Sequence, residues 1–387
     1  MLAVMRSRGV ALLLTLSVST PALAYLPIYE GPTWSPDTGG YNEPQLATQP
    51  GQSASDGAAV GSAYRFNTNS TGSRMGLRPI RWDPSGWIEL QTLGTNNSGA
   101  TRGAAIAINS AGTSVGYATK YAQGTHLGHS AVRWDAAGAV TELSSLGTTA
   151  AGVGHGEAVA INAAGLVAGV STRYSSTDQD LGSRTVRWNP NSTTAIELDS
   201  LQANSNGFAG SRPYAMNDAG LIVGSSTIYT ATDEYGGSRA VRWEPTGTAV
   251  TQLGLPSRHS NQRAFSAAYG VNSSGDAVGT SSTNSETVAL RWNANTTTPI
   301  ELPALGPNAQ AWAVDINDAG VIIGQSPKVS PTGSSLGSRA VRWENKQISE
   351  LPTLGVNSGG YTETAAYAIN SAGPHRGRRR RSQRQQV

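Results

Sequence analysis

The chain of 387 residues contains no cysteine, few charged residues and no long internal run of apolar residues. Without cysteine, disulfide bonds, thiolate metal sites and a cysteine nucleophile are excluded. No internal apolar run reaches the roughly 18–20 residues that a membrane-spanning helix needs. Charged residues make up 14% of the chain, against about 25% in an average protein. Nine tryptophans nevertheless predict a folded core, because disordered chains lack large apolar side chains to bury.

The basic charge of the chain is concentrated at its two ends. Residues 1–24 contain two arginines and no acidic residue, and residues 374–387 contain six arginines and no acidic residue. The remaining body carries 20 basic and 25 acidic residues and is therefore mildly acidic. Because nucleic-acid binding needs a basic surface, we expect no nucleic-acid partner for the folded body.

Residues 1–24 have the pattern of a secretory signal peptide. Arg6 and Arg8 precede an apolar stretch over residues 9–18, and Ala22 and Ala24 supply the small residues that signal peptidase accepts. The alternative is a buried N-terminal helix. The pattern favours cleavage after Ala24, an exported protein that is extracellular or periplasmic, and no transmembrane span after cleavage.

The body of the chain repeats a unit of about 52 residues. Each unit contains an Arg-Trp dipeptide, an Asn-x-x-Gly motif that is degenerate in the first unit, and a Glu-Leu or related pair near its end. The tryptophans of the dipeptide are Trp82, Trp134, Trp188, Trp243, Trp292 and Trp343. The asparagines of the motif are Asn109, Asn162, Asn217, Asn272, Asn317 and Asn370.

The repeat predicts an all-β fold with four strands in each unit. Asn-x-x-Gly suits a tight turn between the first two strands, and the periodicity of an amphipathic helix is absent. A single unit buries too little surface to be stable, so the units must stack as a β-propeller or as a linear β-solenoid. The unit length favours a β-propeller of six or seven four-stranded blades over residues 51–373, after a lead segment at residues 25–50.

The last hairpin of each unit predicts a specific register. If Arg133 faces Glu142, then Trp134 faces Thr141, and the apolar and charged pairs separate onto opposite sides of the hairpin. We expect the repeated arginine and glutamate to pair in this way, and each tryptophan to lie between neighbouring sheets. The same register is expected for Arg81–Glu89, Arg187–Glu197, Arg291–Glu301 and Arg342–Glu350.

The succession AINxxGxxVG, RAVRW and ELxxLG after a signal peptide resembles the bacterial extracellular HAF-repeat proteins, over roughly residues 50–373. The resemblance implies an exported, β-propeller-like protein without an assigned activity. Its motifs contain no catalytic signature. Surface anchoring in such bacteria uses a Pro-Glu-Pro motif, an apolar helix and an arginine cluster, and this chain has the arginine cluster alone.

The composition changes abruptly at residues 374–387, inside a repeat motif. A shifted reading frame is one interpretation, and a basic tail that binds acidic surfaces is the other. We expect this segment to be disordered or frameshifted. Residues 365–370 supply a leading strand that could pair with the first unit and close a six-bladed ring, whereas a continued repeat would make seven blades.

The residues typical of catalytic and metal sites are scattered. His126 and His129 have a spacing that could chelate a metal, but they lie in one variable loop without a carboxylate partner, which favours solvated loop histidines. Residues 315–320 lack the spacing of a calcium loop. We therefore predict no cofactor, no metal and no catalytic residue.

One recurrent feature is an aromatic residue five positions after the glycine of the second strand. Such residues at one end of the units could form a ring of aromatic side chains that binds a sugar or a peptide. The alternative is that they pack against the adjacent blade. The candidate binding residues are Phe66, Tyr121, Tyr174 and Tyr229.

The sequence therefore favours a non-enzymatic binding or scaffold module whose propeller loops contact a glycan or a protein. The alternative is a secreted hydrolase or lyase that acts on polysaccharides through loop carboxylates. The candidate carboxylates for that alternative are Asp178, Asp180, Asp233 and Glu234.

Overall fold

The structure, a computed structural model, describes residues 45–46, 57–67, 73–260, 263–307, 309–370 and 373–378. The predicted signal peptide and all but residues 45–46 of the predicted lead segment lie outside the described residues. The same holds for residues 379–387 of the predicted tail. Side chains are described for all of these ranges except 45–46 and 373–378.

The described residues form β-strands and a single short 3-10 helix at Ser257–His259. The all-β prediction is confirmed. The strands are β1 (Gln45–Leu46), β2 (Ala59–Phe66), β3 (Arg74–Asp83), β4 (Gly86–Glu89), β5 (Gly103–Ile108), β6 (Ser114–Ala122), β7 (Thr125–Trp134), β8 (Val140–Glu142), β9 (Gly154–Ile161), β10 (Val167–Tyr174), β11 (Asp180–Trp188), β12 (Ala195–Glu197), β13 (Ser211–Met216), β14 (Ile222–Tyr229), β15 (Tyr235–Trp243), β16 (Val250–Gln252), β17 (Phe265–Val271), β18 (Ala277–Ser282), β19 (Thr287–Trp292), β20 (Pro299–Leu302), β21 (Trp312–Ile316), β22 (Ile322–Val329), β23 (Ser335–Glu344), β24 (Gln347–Glu350), β25 (Ala365–Asn370) and β26 (Gly373–Arg378).

Successive strands pair antiparallel in meanders that follow the sequence repeat, beginning with β1–β4 and ending with β21–β24. We number these meanders units 1 to 6. The first strand of each unit from β5 onward contacts the preceding unit, and short parallel pairings join β7 to β9 and β15 to β17. Meanders packed in succession through their first strands are the architecture of a β-propeller. Beyond unit 6, β25 pairs with β26, which includes the first residues of the predicted tail.

The tryptophan of the Arg-Trp dipeptide lies between units, as predicted. Trp188 is fully buried, packs against Ala107, Val115 and Leu143 of the preceding unit, and donates its indole N–H to the carbonyl of Ser144 at 3.0 Å. Four other tryptophans donate to the preceding unit in the same way, namely Trp134, Trp243, Trp292 and Trp343. Each of these indoles therefore joins two sheets by packing and by a hydrogen bond.

The Asn-x-x-Gly motif forms the predicted turn and also joins the units. In unit 3 the Asn162 Oδ1 accepts from the Leu166 N–H at 2.9 Å, and Gly165 has a φ of 85°. The side-chain amide then donates forward to a backbone carbonyl in the motif of the next unit. This ladder of amides consists of Asn109, Asn162, Asn217, Asn272 and Asn317, and its last acceptor is Asn370.

The glycine of the second strand is required by a β-bulge in the first strand. In unit 3, Val159 has no partner because Ala160 pairs with Ala168 and Ala158 pairs with Gly169. A Cβ at Gly169 would lie 2.1 Å from the carbonyl oxygen of Glu157. The corresponding bulge residues of the other strands are Ile106, Tyr214, Tyr269, Val314 and Tyr367.

The predicted register of the last hairpin is wrong by one residue in every unit. Val186, not Arg187, faces Glu197. Arg187 instead donates to the carbonyl of Pro245 at 2.6 Å, in the next unit. Glu197 instead forms an ion pair with Arg184 at 3.3 Å. Arg184 lies on β11, three residues before Arg187. The third strand carries two arginines at a spacing that suits an ion pair with Glu197, and Arg187, the predicted partner, is the one that faces the next unit.

The buried Arg184 is a second connection between units. Its side chain is 7% exposed, and it donates to the carbonyls of Ala209 and Gly207 in the loop that leads to the next first strand. Gly182, with a φ of 93°, lies against the same loop, because a Cβ there would be 2.1 Å from the carbonyl oxygen of Ala209. Arg78, Arg239 and Arg339 also donate to carbonyls of the following connecting loop.

The substitution Gly169→Ala is expected to destabilise the fold by about 3 kcal/mol, because the new methyl group overlaps a backbone carbonyl that cannot move without breaking the bulge. Urea denaturation of the variant checks this value. Gly306→Ala is the matched control, since the nearest atom to its Cβ is 3.7 Å away, and it should change stability by less than about 0.5 kcal/mol. Equal denaturation midpoints for the two variants would contradict the interpretation.

A pair of double-mutant cycles distinguishes the observed register from the predicted one. Arg184→Ala and Glu197→Ala should show a coupling of about 1 kcal/mol, because these side chains touch. Arg187→Ala and Glu197→Ala should be additive to within about 0.3 kcal/mol, because Arg187 contacts the next unit. A larger coupling for Arg187 than for Arg184 would restore the register predicted from the sequence.

Candidate functional site

The four predicted binding residues lie at equivalent positions, at the ends of β2, β6, β10 and β14, where the second strand enters the variable loop. We call this end of the units the loop end. Each side chain is partly exposed, and each follows an irregularity in the pairing with the third strand. Their facing partners on the third strand differ, because Phe66 faces Arg74, Tyr121 faces His126, Tyr174 faces Asp180 and Tyr229 faces Tyr235.

The basic residues that precede three of these aromatics have a structural role. Lys120 and Arg173 form ion pairs with Glu142 and Glu197 on the fourth strand, at 2.9 and 2.5 Å. Arg65 pairs in the same way with Glu89 at 3.2 Å. These three glutamates, which the sequence predicted to pair with the arginines of the Arg-Trp dipeptides, therefore connect the fourth strand to the second strand, across the third.

Phe66 lines a cavity of about 310 Å³ at the loop end of unit 1. Arg65, Arg78 and Met75 form other parts of its wall. The buried Arg78 also donates to the carbonyl of Gly99 at 3.1 Å, in the loop that leads to unit 2. This cavity therefore lies where two units meet.

Tyr229 belongs to a larger aromatic cluster that crosses from unit 4 to unit 5. Its ring lies 6.3 Å from Tyr235, and the Tyr235 ring lies 6.0 Å from Phe265 on β17. Tyr235 and Phe265 are each 40% exposed. The Arg263 guanidinium lies 5.3 Å from the centre of the Tyr235 ring. We call these four residues the aromatic cluster; the sequence pattern identified Tyr229 alone.

Three histidines come together between units 2 and 3. His126 and His129 lie on β7 rather than in a loop, which corrects their predicted placement. Their rings are 5.6 Å apart, and His129 lies 6.2 Å from His155 on β9. Tyr117 and Tyr121 pack edge-on against His129 and His126. His155 was not singled out in the sequence because it is about 30 residues away and belongs to the next unit.

The surroundings of His129 disfavour its charged form. Burial lowers the pKa of His129 below its ordinary value, and the neighbouring His126, His155 and Arg102 lower it further. The Nδ1 of His129 lies 3.0 Å from the Thr119 hydroxyl, which fixes the orientation of the ring. The described residues contain no group of three or more His, Asp or Glu side chains arranged to hold a metal ion.

The loop carboxylates considered for catalysis take part in loop structure. Asp178 and Asp233 have positive φ angles of 62° and 63°. Each accepts a hydrogen bond from a backbone N–H of the preceding connecting loop, at 2.8 and 3.1 Å. Asp180 accepts from a backbone N–H two residues ahead at 2.6 Å, and Glu234 is exposed on the loop of Asp233.

A hydrogen-bonded serine, histidine and glutamate in unit 5 was not predicted. The Nδ1 of His259 lies 2.7 Å from the Ser281 hydroxyl, and its Nε2 lies 2.8 Å from the Glu286 carboxylate. Ser281 and His259 are fully buried, so a substrate does not reach the hydroxyl. In units 3 and 4 the equivalent Ser171 and Ser226 accept a backbone N–H of the connecting loop. His259 replaces that N–H and has a structural role.

No protein-family model and no curated protein matches the chain. Among solved structures, the chain is similar to the β-propeller domain of the trilobed protease from Pyrococcus furiosus, with 9% identity, a TM-score of 0.45 and coverage of 84% of this chain and 87% of that one. An ulvan lyase, described as a new family of polysaccharide lyase, has 9% identity, a TM-score of 0.44 and coverage of 86% and 89%. Prolyl oligopeptidase B from Galerina marginata has 9% identity, a TM-score of 0.45 and coverage of 82% and 43%.

Within the described ranges, no helix has the length and apolar character that a membrane span requires.

Acidification is expected to weaken the contact between units 2 and 3. Because the pKa of His129 is lowered in the folded state, the unfolded chain takes up the proton first, and stability is lost as the pH falls below about 6.5. NMR titration of the imidazoles measures the pKa directly. His126→Gln removes one neighbouring positive charge and should raise the pKa of His129. An unchanged or lower pKa in this variant would contradict the electrostatic explanation.

Proposed function

We propose that the chain is an exported, non-enzymatic binding module whose loop end contacts a glycan. The observation that carries the proposal is the partly exposed aromatic cluster of Tyr229, Tyr235, Phe265 and Arg263, held on strands of two adjacent units. Aromatic faces with a few polar groups are typical of ligand sites, and tyrosine offers both an apolar face and a hydroxyl group. The predicted Phe66, Tyr121 and Tyr174 extend this surface to units 1, 2 and 3.

The architectural part of the proposal is a β-propeller in which units 1 to 6 form six four-stranded blades and β25 and β26 belong to a seventh. Support comes from the repetition of the same contacts at each junction. The Asn317 amide donates to the Asn370 carbonyl of β25 at 3.1 Å, as in the earlier units. A buried carboxylate, Asp315, also accepts the Ile369 N–H at 2.9 Å. Such a scaffold holds variable loops in fixed positions.

The positions of polar side chains favour binding over catalysis. General acid–base chemistry needs a carboxyl or imidazole group within hydrogen-bonding reach of the substrate. Asp178 and Asp233 are instead occupied by backbone N–H groups of neighbouring loops, and Ser281 is buried beneath the surface. Polysaccharide hydrolysis or elimination remains the competing function, and the test below includes it.

The test is a glycan and peptide array probed with the full chain and with Tyr235→Ala/Phe265→Ala. We expect the double variant to weaken binding to the bound glycans by at least about tenfold, or roughly 1.4 kcal/mol, because it removes two aromatic contact surfaces. Phe208→Ala is the matched control. Phe208 lies in the loop between units 3 and 4, is 38% exposed and does not belong to the aromatic cluster. Measurements of the melting temperature confirm that each variant is folded.

Three outcomes would overturn parts of this proposal. Equal glycan binding by the parent and by Tyr235→Ala/Phe265→Ala would remove the aromatic cluster from the site. Binding to peptides alone would replace the glycan with a protein partner. Cleavage of a bound polysaccharide that is lost in Asp180→Asn or Glu234→Gln would establish the enzymatic alternative.

A further inference from the structure

In β5, β13 and β21 one face of the first strand packs and the other does not, whereas the bulge residue Val159 in β9 and Ala267 in β17 are also buried. In β13 the side chains of Ser211, Pro213 and Ala215 are buried, whereas Arg212 is exposed and Tyr214 is partly exposed. The same alternation holds in β21, where Ala313 and Asp315 are buried between the partly exposed Trp312 and Val314. The buried positions face neighbouring units, and the others lie on a surface that the first strands share.

The recurring β-bulge controls which side chains reach this surface. Tyr214, Tyr269 and Tyr367 are the unpaired residues of the bulges in β13, β17 and β25. A bulge commonly re-aims a side chain. Here the re-aimed rings meet across the boundary between units, because the ring centres of Tyr214 and Tyr269 lie 5.1 Å apart in an edge-to-face arrangement.

The same surface contains an ion pair two residues before the bulges. The Arg212 guanidinium binds the Glu157 carboxylate at 2.9 Å across the boundary between units 3 and 4, and the two side chains are 45% and 28% exposed. At the equivalent position of β21 stands Trp312. We call Glu157, Arg212, Tyr214, Tyr269, Trp312 and Tyr367 the first-strand surface.

The positions of this surface vary between the repeats, whereas the packing positions beside them vary little. The position just before the bulge is alanine in β5, β9, β17, β21 and β25 and proline in β13. Two residues before the bulge, by contrast, the chain has alanine, glutamate, arginine or tryptophan. A scaffold that repeats its packing residues and varies one continuous face is typical of repeat proteins that bind through that face.

We propose that the first-strand surface is a second ligand site, separate from the aromatic cluster, and that it binds a linear neutral oligosaccharide. Tyrosine and tryptophan rings supply apolar faces for the C–H groups of a sugar ring, together with polar groups at their edges. Glu157 and Arg212 supply an acceptor and a donor for neighbouring hydroxyl groups. Because these two charges balance each other, the surface favours a neutral ligand over an anionic one.

This inference rests on the proposed glycan-binding function, but it concerns different residues. The two sites share β17 but occupy different stretches of it: Phe265 of the aromatic cluster is its first residue, at the loop end, whereas Tyr269 of the first-strand surface lies four residues further along. A ligand that runs across successive first strands contacts several units. Longer oligosaccharides should therefore bind more tightly than the corresponding disaccharides.

The experiment titrates the full chain with cellohexaose, xylohexaose and laminarihexaose, and with oligogalacturonate as the anionic probe. Binding is followed by tryptophan fluorescence, since Trp312 is partly exposed on the surface while the five indoles that join the units are buried. We expect at least one neutral hexaose to bind and to shift the emission. Tyr214→Ala/Tyr269→Ala should weaken its binding by more than tenfold, and Trp312→Phe should remove most of the emission change.

Glu157→Gln/Arg212→Gln is a second variant that removes both charges and leaves polar side chains, in case the tyrosine variant fails to fold. It should weaken binding of the hexaose three- to tenfold. Tyr235→Ala/Phe265→Ala is the comparison for the other site. If only that variant loses binding, the first-strand surface is not the site and the proposed loop-end function stands. If the parent binds no neutral hexaose, or binds only oligogalacturonate, this inference is overturned, whereas the array still decides the loop-end function separately.

Discussion

In units 2, 3 and 4 the Arg-Trp dipeptide connects the unit to both of its neighbours, and the packing of successive units depends on this connection. In unit 3, the Trp188 indole packs against the preceding unit and donates to it, while the adjacent Arg187 donates to the following unit. A four-stranded sheet alone leaves apolar faces exposed to water. Two adjacent residues on one strand therefore supply contacts in both directions, and stability is a property of neighbouring units together.

Much of the fold could be predicted from the sequence because its signals repeat. The Asn-x-x-Gly turn and the position of each tryptophan between sheets follow from local turn chemistry and from the need to bury an indole. The hairpin register could not be obtained in the same way. Two arginines stand three residues apart on the third strand, and both satisfy a charge-pairing argument. Only the three-dimensional positions of the neighbouring units show that Arg187 reaches forward and that Arg184 pairs with Glu197.

The candidate site was less predictable, since it depends on residues brought together from different units. Its position in the repeat identified Tyr229 from the sequence. Its partners have no such recurring position: Tyr235 begins β15, directly after a variable loop, and Phe265 begins β17 in the next unit. His155 joins His129 for the same reason. The β-bulge was also missed, because an extra unpaired residue leaves the apolar alternation of a short strand nearly unchanged. The glycine of the second strand recurs in the sequence, but the reason for it is visible only in the structure. A carbonyl oxygen of the first strand occupies the space that a Cβ would need.

The ladder of asparagine amides has a direction. Each side chain donates to a carbonyl in the following unit, so units 3 to 6 each offer one donor on one side and one acceptor on the other. Such an interface is the same at each junction from unit 2 to β25. Duplication or loss of a whole unit therefore preserves all the connections of the ladder, whereas a change in length within a first hairpin breaks one.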